Sequence, residues 1–177
     1  MRIYLAGPDV FRPDARAHGQ RLKASCARHG YEGLFPLDEP APHAAPPDAA
    51  PPDAARGIYQ ANVALLERAD VVMANLAPFR GQEPDSGTAF EIGYAAARGK
   101  PVWGYTEDTR PMTRRVATGT DPDGHPVDGQ GYLVENFGLG LNLMLACSVT
   151  LVQGGPDDCL QAIAAAHAAS PSHQESP

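Results

Sequence analysis

The chain has 177 residues, 43% of them hydrophobic, enough for one α/β domain with its own core and short for two. A formal net charge of −7, with no basic cluster, argues against nucleic-acid polymers and anionic membranes as partners and leaves small neutral ligands open. No apolar segment is long enough to span a bilayer.

The N-terminus enters a strand at once (residues 2–6), with no basic region ahead of an apolar one, so no signal peptide is expected. Gly7-Pro8-Asp9 ends that strand. Residues 11–29 carry Ala17, Leu22 and Cys26 at helical spacing, with Gly30 as the stop. A second strand covers 31–35. Prolines recur from Pro36 to Pro52, so residues 36–56 are expected to form an extended surface loop and a candidate lid. A helix over 58–68 places Ile58, Ala61, Leu65 and Leu66 on one face. Strand 70–76, helix 86–98 and strand 101–105 make a βαβ unit. Residues 107–133 hold turn chemistry, including Asp121-Pro-Asp-Gly124, and suggest a hairpin or a mobile excursion. A short helix within 136–147, a strand over 149–152 and a helix over 157–168 complete one domain of residues 1–168. Residues 169–177 read as a disordered tail.

Alternating β and α units with short links mean a parallel sheet covered on both faces. In a flavodoxin-like order the first and third strands are neighbours at the switch point. The loops 6–12 and 76–88 would then face each other across the crevice where such folds bind ligands. Cys26, Cys147 and Cys159 are odd in number and far apart, and read as buried free thiols in a reducing cytoplasm. The six His residues form no ligand-spaced pair, so no metal is expected.

The fingerprints of other nucleotide folds are missing: there is no G-x-G-x-x-G after the first strand, no phosphate-cradling P-loop and no Ser elbow. Carboxylates remain. Glu91 sits among Phe90, Ile92, Ala95 and Ala96, and a lone acid on an apolar helix costs desolvation unless something uses it. Asp85 falls at the helix start, where end amides favour negative charge and where it serves equally as a cap. Tyr4, on the first strand, can hold the Glu91 carboxylate. Gly87 and Gly93 leave room for a ligand near the helix backbone. Gly7 and Asp9, on the first loop, are candidate binding residues, and Phe11 and Phe79 are either packing residues or stacking partners for a base. Two carboxylates at a small-molecule crevice suit glycosidic chemistry, with Glu91 as nucleophile and Asp85 binding substrate or handling a proton.

These residues resemble a known family. Ile3-Tyr-Leu-Ala-Gly-Pro8, Asn75-Leu-Ala-Pro-Phe-Arg-Gly81, Asp85-Ser-Gly-Thr-Ala-Phe-Glu91-Ile-Gly-Tyr94 and Leu141-Asn-Leu-Met144 are similar, in order, to the motifs of nucleoside 2-deoxyribosyltransferases. The resemblance implies a flavodoxin-like three-layer sandwich with a five-stranded parallel sheet. It implies transfer of 2-deoxyribose between nucleobases by a retaining double displacement through a covalent 2-deoxyribosyl intermediate on Glu91. Tyr4 matches the residue that orients the nucleophile and Asp85 an acid that helps to bind substrate. Asn142 and Met144 match residues that a neighbouring subunit contributes, so a homo-oligomer with shared sites is expected. Asn62 stands where some members carry an aspartate that contacts the base and assists its protonation, a task an amide performs poorly. The implied substrates are 2-deoxynucleosides and free nucleobases, with neither a metal nor an organic cofactor. Two other readings stay open: an N-glycosidase hydrolysing 2-deoxynucleosides or their 5′-monophosphates, and a non-enzymatic nucleotide sensor that would not need Glu91.

Overall fold

The first strand is apolar on both sides because both sides are covered. In the computed structural model, which describes residues 1–38 and 51–169, β1 (Arg2–Ala6) is an interior strand of a five-stranded parallel sheet. The other strands are β2 (Glu32–Leu34), β3 (Val71–Asn75), β4 (Val102–Thr106) and, last in the sheet, β7 (Thr150–Gln153). Their order is β2-β1-β3-β4-β7, so the first and third strands are neighbours, as the flavodoxin-like reading requires.

Alternation along the strands divides the core. Ile3, Leu5, Val71 and Met73 point to one face, under helices α1 (Ala15–Arg28) and α6 (Pro156–Ala169). Tyr4, Ala6, Val72 and Ala74 point to the other, under α2 (Pro51–Arg68) and α3 (Ser86–Ala97). Period-2 patterning with apolar residues on both phases is what a parallel sheet between two helical layers demands. None of the described helices is long and apolar enough to cross a membrane.

Several expected boundaries move. The helix expected over 11–29 is a 3₁₀ turn (Pro8–Phe11) followed by α1 from Ala15. Arg12 stands before Pro13, and the clash with the proline ring holds it extended, breaking the helix. The loop expected over 36–56 is corrected at its end: α2 begins at Pro51. Prolines are tolerated in a first turn, whose N–H groups have no helical partner. The rest of that expectation, residues 39–50, lies outside the described residues. Ile58, expected on the core face, is 59% exposed, while Leu65 and Leu66 are buried.

The 107–133 excursion is a small antiparallel pair, β5 (Gly119–Thr120) with β6 (Pro126–Val127), preceded by an unforeseen one-turn helix, α4 (Met112–Arg115). The helix expected within 136–147 is only α5 (Leu143–Ala146), since Gly138 and Gly140 do not sustain one before it. Ala169, assigned to the tail, ends α6; residues 170–177 lie outside the described residues. Cys26 and Cys159 are buried free thiols, but Cys147, on the short α5 end, is exposed.

Candidate active site

The loops after β1 and β2, with α2 and the start of α3, enclose a cavity of about 310 Å³. The first loop supplies Gly7, Val10 and Phe11; α3 supplies Asp85, Gly87 and Glu91; α2 supplies Ile58 and Asn62. Pro36 and Leu37 close the wall beyond β2. Loops 6–12 and 76–88 do meet here: the Phe11 and Phe79 rings stack 5.3 Å apart at 14°. Arg80 lies over both, its guanidinium carbon 5.1 Å from the Phe11 centroid and 4.7 Å from that of Phe79.

At the floor, the Tyr4 hydroxyl donates to Glu91 Oε1 at 2.5 Å. Tyr4 is wholly buried on an interior strand, so the phenol is fixed by packing before it meets the acid. Burial pushes the Glu91 carboxyl up to about 7; the Tyr4 hydrogen bond opposes that rise and the Asp85 charge adds to it. Burial, and then the Glu91 charge, also hold the Tyr4 phenol well above its ordinary range, so it stays a donor. A carboxylate poised near neutrality and held by one strong donor is equipped for nucleophilic attack or proton transfer.

Asp85 is the N-cap of α3, its Oδ2 accepting from Thr88 N at 2.9 Å and Thr88 Oγ1 at 3.1 Å. Such a cap contributes about 0.5–2 kcal/mol to a helix. Capping and cavity lining coincide in this residue.

Asp9 does not line the cavity. It is buried, accepting from Asn75 Nδ2 at 2.9 Å, with His18 Nε2 3.1 Å from its other oxygen. It ties the first loop to the end of β3. Gly7 has φ +150°, and a Cβ there would come 2.7 Å from Asn75 Cβ, so the tie needs glycine. Gly93 faces open space, whereas Gly87 lines the cavity. Asn142 and Met144 also lie apart from this cavity. Asn142 caps α5, and Met144 is 73% exposed.

Among the lining residues, sequence reasoning passed over Val10 and Ile58, and reached Pro36 and Leu37 only as the start of a candidate lid. Pro36 and Leu37 follow the carboxyl end of β2, and the rule that drew attention to the loops after β1 and β3 applies to them equally. The Asn62 side-chain oxygen is buried without a hydrogen-bond partner, an unmet acceptor beside the cavity.

A second cavity, of about 360 Å³, lies between the ends of β3, β4 and β7. Of its acids, Asp108 is held bidentately by Arg110 at 2.7–2.9 Å, with Arg115 3.7 Å away. Its lining has no counterpart of the Tyr4–Glu91 pair.

Known proteins share the fold that carries this site. The family model described as nucleoside 2-deoxyribosyltransferase matches residues 3–144. A 2-deoxyribosyltransferase from Leishmania mexicana superposes with a TM-score of 0.73 at 34% identity, covering 94% of this chain and 98% of that one. A 2-deoxyribosyltransferase from Bacillus psychrosaccharolyticus, 17% identical with a TM-score of 0.56, covers 93% of this chain and 90% of its own and shares the fold. An uncharacterized protein of Schizosaccharomyces pombe is 38% identical over 117 residues, 64% of this chain. The match takes in only 54% of that relative, so the chain spans about half its length. By the family match and the Leishmania likeness together, the chain belongs to the nucleoside 2-deoxyribosyltransferase family.

Proposed function

We propose that the protein transfers 2-deoxyribose between nucleobases, with Glu91 as the nucleophile. The observation that carries this reading is the 2.5 Å hydrogen bond from buried Tyr4 to Glu91 at the floor of a cavity rimmed by both switch-point loops. In the first half-reaction Glu91 attacks C1′ from the face opposite the base; the C–N bond breaks as the ester bond forms, and the departing base takes a proton. In the second, an incoming base attacks C1′, breaks the ester and loses its own proton. Two inversions retain configuration.

Asp85 shares the cavity with Glu91 and is the candidate for sugar binding or proton handling. Asn62 offers an unmet carbonyl acceptor, suited to a base N–H rather than to donating a proton. Val10, Phe11, Leu37 and Ile58 give the cavity an apolar wall that favours an incoming base over water. Among the described residues its lining holds two carboxylates and no cation, which favours unphosphorylated 2-deoxynucleosides over their 5′-monophosphates. Gly7 and Phe11 border the base, and Asp9 supports their loop from behind. Asn142 and Met144 act in the site of a neighbouring subunit. Exposed Tyr132, Leu133, Phe137 and Met144, from the end of the excursion to α5, support a second copy covering this face.

Incubation with deoxyinosine and adenine tests the reading, following deoxyadenosine and free hypoxanthine. Deoxyadenosine is the expected product. Hypoxanthine alone would mean hydrolysis, and neither product would remove the transfer activity. A slow fluorinated 2-deoxynucleoside should label the peptide holding Glu91 at one sugar per site.

A further inference from the structure

The corner carrying Asn142 and Met144 is held by a residue outside every recognised motif. Glu135 Oε1 accepts from Asn142 Nδ2 at 2.7 Å, and Glu135 Oε2 accepts from Leu143 N at 2.8 Å. Asn142 Oδ1 in turn accepts from Met144 N at 3.0 Å. These partners decide the orientation of the amide. The carboxylate only accepts and the backbone N–H only donates, so the Asn142 NH₂ must face Glu135 and its carbonyl must face Met144.

Both ends of the contact are anchored by packing. Val134, next to Glu135, is 8% exposed and Leu141, next to Asn142, 1%. Arg115 Nη1 donates to Gly140 O, and Met112 N donates to Leu139 O at 2.8 Å. The carboxylate thus joins two fixed backbone segments and does not wander with a loop.

We infer that Glu135 is a positioning residue for the deoxyribosyl-transfer site of the neighbouring subunit: it sets the Asn142 amide so that its second N–H is presented outward to a substrate oxygen. The inference rests on the reading that Glu91 of one protomer works with Asn142 and Met144 of another. Without Glu135 the Asn142 amide is held only at its carbonyl end by Met144 N–H, and its Nδ2 end loses the acceptor that fixes where the second N–H is presented. The first turn of α5 also loses the acceptor for Leu143 N.

Because the effect acts across a subunit boundary, complementation tests it. Alone, E135A should lose about 10–100-fold in kcat/KM for the deoxynucleoside donor, as expected of a misplaced binding group. Its Tm should stay within a few degrees of wild type. E135Q keeps one acceptor oxygen, can serve Asn142 or Leu143 but not both, and should fall between. E91A alone should be inactive. Equal co-expression of E91A and E135A should restore about a quarter of the wild-type rate, since random pairing gives that share of sites with Glu91 and an intact corner from different protomers. Should E135A fail to fold, E135Q enters the same mixture in its place. Wild-type kcat/KM in E135A, or no recovery in the mixed oligomers, overturns the inference and leaves the role of Glu91 standing. An active E91A homomer removes the reading beneath it, and the inference with it.

Discussion

The floor of the cavity and the 112–147 excursion are built on opposite principles. Tyr4 is sealed on an interior strand of a parallel sheet, flanked by β2 and β3, and Glu91 meets it from a helix whose next residue, Ile92, is fully buried. The excursion instead exposes Tyr132, Leu133, Phe137 and Met144 and is tied by polar contacts from Arg115 and Glu135. A bond-forming group needs a fixed geometry and a dry setting, which the core supplies. A group that must reach another molecule needs exposure, and it can keep its geometry only through ties of its own.

If the floor carries the chemistry, the largest effect comes from Glu91→Ala. Turnover should fall more than about a hundredfold, in line with loss of a covalent catalyst. A steady-state rate above that threshold would take Glu91 out of the mechanism and leave the floor as ordinary core.

Tyr4→Phe tests the pair more finely. Removing the donor takes away the one contact that lowers the Glu91 carboxyl, so its titration should move above about 7. The wild-type rate should climb with pH through about 7 as Glu91 ionises. In the variant that limb should shift to higher pH, with about a 10–100-fold loss at neutral pH. An unmoved limb in a pH–rate profile would mean that Tyr4 does not tune the acid.

Stability gives a third separation of floor from excursion. The folded-state value of Glu91 is raised from 4.5 to about 7, so the folded chain holds that proton more tightly than the unfolded one. The associated stability is full below 4.5 and is lost as pH rises through about 7. Glu91→Gln never ionises and keeps it. The variant should therefore exceed wild type by about 2 kcal/mol at pH 8 and match it at pH 4, measured by chemical denaturation. An equal gap at both pH values would locate the effect in packing.

The smallest effect is expected at the wall. Asn62→Asp supplies an acid where an unmet amide oxygen now stands. A few-fold change in base preference, or a new acidic limb in the pH profile, is the expected result. Unchanged preference and profile would mean that this position does not touch the base.

Much of this was legible in the residues themselves. The Tyr4 strand, the Asp85 cap and the Glu91 helix are local patterns, and local patterns survive folding because period and capping act within a few residues. The start of α2 was not legible, because proline reads as a breaker until its place in the first turn is known. Nor was the break at Arg12-Pro13 inside an apparently helical run. Asp9 stands beside the motif glycine in sequence, yet its carboxylate turns inward to Asn75, which is distant along the chain.

By itself, then, the sequence determined the α/β alternation, the family and the candidate Tyr4–Glu91 pair, since these follow from patterns local to a few elements. Tertiary structure alone decided that Pro36, Leu37 and Ile58 share a wall with Glu91, that Asp9 braces and does not line, and that Glu135 bonds Asn142. Each of these depends on which distant segments the sheet order brings together, and no residue period encodes that.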